Sequence, residues 1–427
     1  MKIKQVKARQ VYDCRCTPTV EVDVTLDSGA FGRAIVASGA STGKFEALEL
    51  RDGDPSRFRG KTVYQAIKNI EQEIAPAVIG FDASRQADLD QLLIELDGTP
   101  NKTRLGANAL LGVSMAAAYA AAQEAGVPLY RHLGGAEART LPASWVQLFN
   151  GGVHTERSID IQDFSIIPMN ARNHDEYLEI GYEIFQTTKD MLRELGKPVG
   201  SGDEGGFWPI FDYNEEALEL IMQAIRRAGF KPREEIMITM DVAASSFFAD
   251  GKYHLELEDK HLSAQEWAQM LESWVDKYPI ISIEDGMAEE DWQGWELLTA
   301  RIGDRCQLVG DDLFTTNVER IQEGIRRGAA NASLIKLNQI GTVTETLAAV
   351  KVSQNANYLP VVSARSGDTE DNTCVHIAVA TNSGQLKPGG LTRTCRINKY
   401  NEVVRIGQEL GDKAIWPIPD LFARFLK

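Results

Sequence analysis

The run IISIEDG at 280–286 decides how most of this chain is read. Four residues of buried-strand type stop abruptly at two carboxylates and a glycine. EIMITMDVA (235–243), CQLVGDDL (306–313), ASLIKLNQIG (332–341) and LPVVSARSG (359–367) repeat the pattern, each an apolar run ending on a functional side chain. The residues at those ends are Asp241, Glu284, Asp311, Lys336 and the turn Ala364-Arg365-Ser366. Helical periodicity fills the gaps, at 215–228, 264–277, 317–327 and 342–355. Strand–helix alternation on this spacing predicts parallel strands, and about 290 residues of it suit an α/β fold of β/α-barrel type.

In a parallel barrel the carboxyl ends of the strands open on one face, where ligands bind. A single acid after a strand reads best as a helix N-cap. Three acids and a lysine on successive strands favour a site instead.

Residues 1–135 have another rhythm. Two-residue alternation runs through 4–36, with Asp-Ser-Gly at 27–29 as a hairpin turn. Helical periods follow at 62–78, 84–96 and 105–124, so this part reads as an α+β domain preceding a barrel at 136–427.

Composition narrows the function. The formal net charge is −16, without a basic tract, which argues against nucleic acid. An anionic ligand would then need a local cation. The blandest stretch, ANALLGVSMAAAYAAA (107–122), is too short to span a bilayer and reads as a core helix, so no membrane partner is expected. MKIKQVKARQVYD at the start lacks the apolar segment of a signal peptide, and a cytoplasmic location is expected. Cys14, Cys16, Cys306, Cys374 and Cys395 read as reduced structural thiols, with a redox pairing of Cys14 and Cys16 as the second reading.

Carboxylate oxygens from different strands are hard ligands, suited to Mg²⁺ or Mn²⁺ over zinc. A lysine beside such a metal is expected to have a lowered pKa and to act as a base. That arrangement suits removal of a proton α to a carboxylate, with an ene-diolate stabilised by the metal. If a leaving group departs, an acid is also needed. SGDEGGFWP (201–209) offers Asp203 and Glu204 among glycines, and IDIQDFSIIP (159–168) offers Gln162 and Asp163. Crowded carboxyls push one pKa upward and keep it protonated for acid catalysis. SGASTG (38–43) reads equally as a lid or a solvent loop.

SGASTG, ELRDGD (49–54), FNGGVH (149–154), GDEGG (202–206), SIEDG (282–286), GDDL (310–313), IKLNQIGT (335–342) and RSGDTED (365–371) together resemble the enolase family over essentially the whole chain. The resemblance implies an N-terminal capping domain, a modified eight-stranded barrel, and a homodimer or higher homo-oligomer. By the same resemblance Asp241, Glu284 and Asp311 hold a tightly bound Mg²⁺, and Ser41 in the lid loop helps hold a second that arrives with substrate. Lys336 is similar to the base that takes the C2 proton of 2-phosphoglycerate, and Glu204 to the acid that helps the C3 hydroxyl leave. Lys387 resembles the partner of the substrate carboxylate, Arg365 and Ser366 the phosphate grip, and His154 and Gln162 further lining positions.

The chain also departs from that family. Asp163 stands where Glu is usual and Ala364 where His is usual, while Gly286, Cys16 and Thr17 replace Pro, Gly and Asn. Arg157 adds a charge. One reading is a phosphopyruvate hydratase that tolerates these changes. A second is a specialised relative acting on a modified 2-phosphoglycerate, for example forming carboxyphosphonoenolpyruvate in phosphonate antibiotic assembly. A third is a non-catalytic structural relative, disfavoured by retention of Lys336, Glu204, Lys387 and the carboxylates.

Overall fold

The computed structural model describes residues 1–40, 43–155 and 158–426, with the side chain of His154 also outside the description. Strands β1 (Ile3–Tyr12), β2 (Pro18–Leu26) and β3 (Phe31–Ile35) form an antiparallel sheet in the order β1-β2-β3. The 27–29 turn makes the β2–β3 hairpin as its sequence predicts. The Ala-rich helix Ala107–Glu124 lies on β2 and β3 and is buried almost throughout. Its small side chains let it sit close: a Cβ on Gly32 would lie 2.0 Å from the Ala116 carbonyl oxygen. Burial on all sides explains why this helix has no polar face.

Among the described residues, eight strands then close into a barrel. They are β4 (Ala143–Asn150), β5 (Asp163–Pro168) and β6 (Ile236–Asp241), followed by β10 (Ile280–Glu284), β11 (Gln307–Gly310), β12 (Ala332–Ile335), β13 (Leu359–Ser363) and β14 (Gln385–Gly390). A small sheet of β7 (Phe248–Ala249), β8 (Lys252–Leu255) and β9 (Lys260–Leu262) projects after β6. The predicted helices are present as Glu215–Arg227, Ala264–Lys277, Val318–Arg327 and Val343–Asn355.

The expectation of parallel strands fails at one place. β5 is antiparallel to both β4 and β6. A parallel return needs a long crossover, normally helical. Among its described residues the 151–162 connection carries only the short turn Gly152–Thr155, so the chain doubles back. The reversal brings the first residue of β5 to the rim where the other strands end: Asp163 pairs with Asn150 and with Asp241.

The N-terminal domain is fastened over that rim. Ser38 and Gly367 exchange backbone hydrogen bonds of 2.9 and 2.8 Å, and Ala47 N–H donates to the Gln339 carbonyl at 2.8 Å. Among the described residues, no helix is long and apolar enough to cross a membrane.

Candidate active site

The predicted strand ends converge. Asp241 and Glu284 close β6 and β10, Asp311 and Lys336 follow β11 and β12, and β13 runs into Ala364, Arg365 and Ser366. Glu204 arrives from the 201–209 loop, which is laid against β4. There Gly206 N–H donates to Asn150 Oδ1 at 3.1 Å, and a Cβ on Gly202 would lie only 2.5 Å from the same oxygen. Glycine is required for that approach. Gln147 on β4 donates its Nε2 to Glu204 Oε2 at 2.9 Å. A cavity of about 470 Å³ unites Gln162, Glu204, Asp241, Lys336 and Lys387 with the 363–366 turn.

Two lysines organise the charge. Lys387 Nζ lies 2.7 Å from Asp241 Oδ2, 2.8 Å from Glu284 Oε2 and 3.1 Å from Asp163 Oδ2. Burial presses its pKa down, but the three carboxylates outweigh burial and raise it well above the ordinary value. One ammonium does not offset three buried carboxylates. Burial, opposed by Lys387 and reinforced by Asp241 and Glu204, therefore pushes Asp163 up to about 7. In this structure Lys387 therefore faces three protein carboxylates.

Lys336 Nζ lies 2.5 Å from Asp311 Oδ2, and Gln339 Nε2 donates to Asp311 Oδ1 at 2.8 Å. Burial again presses the ammonium pKa down, and Asp311 overcomes it, so Lys336 ends above its ordinary value. The lowering expected above was that of a lysine beside a metal ion; here the nearest charge is that of Asp311.

The cationic turn is already engaged. Arg365 Nη1 donates to Glu46 Oε2 at 3.1 Å and to Asn338 Oδ1 at 2.9 Å. Ser366 Oγ accepts from Ala40 N–H at 2.7 Å and from Arg15 Nη1 at 3.4 Å. The base of the 38–43 loop therefore hangs from the same turn. Ser41 and Arg157 lie outside the described residues, as does the side chain of His154. Gln162 Nε2 donates to Asp241 Oδ2 at 2.9 Å.

The donors present fit a hard divalent cation. Glu284 Oε1 and Asp163 Oδ1 are buried and accept no hydrogen bond among the described residues, while Asp163 Oδ2 faces Lys387. The most closely set carboxylate oxygens, within 4.8 Å of one another, belong to Asp285, Asp311 and Asp312. That grouping differs from the predicted Asp241–Glu284–Asp311 set, because Asp241 and Glu284 turn toward Lys387. Asp285 braces a turn, accepting backbone N–H bonds of 2.9 Å from both Asp311 and Asp312. Burial and the charge of Asp311 push Asp312 up to about 8. Buried carboxylate oxygens of this kind suit Mg²⁺.

Reading strand ends missed Gln147, Ser165, Gly389 and Arg396, which also line the cavity. Gln147 had a signal, a lone amide inside the apolar run WVQLF (145–149). Arg396, buried within the helix Thr394–Leu410, had none.

A family model described as "Enolase, N-terminal domain" matches residues 3–133, and one described as "Enolase, C-terminal TIM barrel domain" matches residues 138–422. The chain is 53% identical over 425 residues to "Enolase 1" of Desulfitobacterium hafniense (strain Y51), spanning 99% of this chain and 97% of that one.

Proposed function

The chain belongs to the enolase family and is a hydro-lyase of the enolase type; from that premise we propose that it acts, with Mg²⁺, on 2-phosphoglycerate or a close derivative to give an enolpyruvate product. The observation that carries this reading is the single cavity in which Lys336 and Glu204 meet alongside Arg365, Ser366 and Lys387. A base, an acid and three anion-directed groups around one small volume suit elimination from a phosphorylated hydroxy acid.

Lys336 takes the proton at C2. Glu204, oriented by Gln147, gives a proton to the departing C3 hydroxyl. Asp163, held near neutrality beside it, supports that proton transfer. Arg365 and Ser366 grip the phosphate, with Arg365 exchanging its Glu46 partner for the substrate, and Lys387 faces the substrate carboxylate. Gln162, and in this reading His154 and Arg157, complete the lining. Asp241, Glu284 and Asp311 hold one Mg²⁺, and Ser41 contributes to a second. Bound Mg²⁺ supplies the positive charge that stabilises an ene-diolate. A homo-oligomer in the cytoplasm suits the family and the five free thiols.

One observation favours a specialised substrate. Ala364 lines both the site cavity and an adjoining, more apolar one bounded by Ile35, Leu111, Met115 and Leu337. Its methyl leaves room for a 2-phosphoglycerate carrying an additional group. The test is direct: purified protein with Mg²⁺ is given plain 2-phosphoglycerate and phosphoryl-modified analogues, and enolpyruvate absorbance is followed in the ultraviolet. Efficient turnover of the plain substrate excludes the specialised reading. Turnover of neither, without Mg²⁺ binding, overturns the proposal altogether.

A further inference from the structure

Cys14 and Cys395 lie far apart in sequence and on different domains. Cys14 sits in the turn between β1 and β2, and Cys395 is the second residue of the helix Thr394–Leu410 that follows the last barrel strand. The fold brings them together: both line one surface cavity with Asp13, Thr369, Arg393 and Asn398. Cys14 is half-buried and Cys395 nearly covered. In sequence the cysteines read as reduced structural thiols, with a pairing of Cys14 and Cys16 second. Cys16 is exposed and takes a left-handed backbone, φ 59°, and it is not among the residues lining that cavity.

The surroundings hold Cys14 in place. Its N–H donates to the Asp368 carbonyl at 2.9 Å, and its Sγ is 3.4 Å from the Ser366 carbonyl. Arg396 Nη2 donates to that same carbonyl at 2.8 Å, placing a guanidinium close to the sulfur. We propose that Cys14 and Cys395 constitute a thiol-modification site that reacts with low-molecular-weight disulfides and closes to an interdomain disulfide. Cys14, as thiolate, attacks one sulfur of the small disulfide, forms a mixed disulfide and expels one small thiolate. Cys395 then attacks the Cys14 sulfur and expels the second, its own proton passing to solvent. Two protein thiols are oxidised and one small disulfide is reduced to two thiols.

The neighbouring Cys395 thiol lowers the Cys14 thiol to about 6, burial opposing and Arg396 assisting, a direction that favours attack by Cys14. Cys306 is fully enclosed and Cys374 is buried beside the apolar cavity, away from Cys14, and burial pushes both thiols upward. They stand outside the reaction. The closed bond would join the N-terminal domain to the barrel directly behind Ser366.

The test treats the folded, full-length protein with oxidised glutathione at neutral pH, quenches with acid and alkylates the remaining thiols. Alkylatable thiols should fall by two from five, and peptide mapping should give a Cys14–Cys395 cross-link that dithiothreitol reverses. Cys16→Ser should leave this unchanged. Cys395→Ser should stop the reaction at a Cys14–glutathione mixed disulfide, and Cys395→Ala should reach the same end state more slowly, its side chain no longer favouring the Cys14 thiolate, so the two together separate resolution from any folding defect of one variant. A Cys14–Cys16 bond, an unreacted Cys14 in the wild type, or a resolved disulfide in both Cys395 variants would overturn the assignment.

Discussion

Two buried lysines share the mouth of the barrel, and their partners differ. Lys387 on β14 is held by three carboxylates, while Lys336 after β12 is held by one. Burial presses both pKa values down. The number of anions therefore decides which ammonium is easier to deprotonate. With a single partner, Lys336 needs only Asp311 to be engaged elsewhere before burial dominates and lowers its pKa. Lys387 would keep its proton under the same change. One side of the mouth is built for a lysine that gives up its charge, and the other for a lysine that keeps it.

The most severe way to break this comparison is to remove Lys336. Lys336→Ala should lower kcat roughly 10³–10⁴-fold, the upper range for a positioned general base. Exchange of the C2 proton with deuterated solvent should vanish with it. Lys336→Arg should be equally inactive, since a guanidinium does not deprotonate at working pH. Retained exchange in either variant would remove Lys336 from the role of base.

Lys387 should respond in stability as well as in activity. Lys387→Met strips the cation from Asp163, Asp241 and Glu284, and breaking a buried ion cluster in this way costs about 3–5 kcal/mol. Urea titration of metal-free protein should show this as a lower midpoint. Mg²⁺ should restore more stability to the variant than it adds to the wild type, because the carboxylates it would bind are then uncompensated. An unchanged midpoint would mean that the three acids are protonated in the wild type and need no cation.

What was legible in the sequence follows from the same geometry. Strand ends gave Asp241, Glu284, Asp311, Lys336 and the 364–366 turn, because apolar runs stop sharply where a parallel barrel opens. The helices between them show amphipathic periods and match closely. The reversal of β5 left no such mark: its residues alternate no differently in an antiparallel strand, and only the short 151–162 connection betrays it. Which acid faces which lysine was not legible either, since Asp163, Asp241 and Glu284 come from three strands and meet Lys387 only through barrel closure. Cys14 and Cys395 illustrate the limit most plainly. In sequence they read as reduced structural thiols, with Cys16 as the second-choice partner of Cys14, while the fold sets Cys14 and Cys395 around one cavity.

Glu204 should separate the two chemical steps. Glu204→Gln keeps the amide contact to Gln147 but removes the proton donor, and kcat should fall about 10²-fold. C2 exchange should persist, because Lys336 and its carboxylate partner are untouched. A variant that lost exchange and elimination together would show that Glu204 organises the base side too.

The smallest expected effect is the most informative about substrate. Ala364 is 9% exposed and borders both the site cavity and the apolar cavity beside it. Ala364→His would fill the junction with an imidazole next to Arg365. If plain 2-phosphoglycerate is the substrate, the filled site should hold it better and kcat/KM should rise up to about tenfold, the scale of modest pocket contacts. If the substrate carries an additional group, that group and the imidazole compete for one space, and kcat/KM for the modified substrate should fall by a similar factor. The two substrates measured on one variant give opposite signs under the specialised reading. A rise for both would leave the methyl without a role in selection.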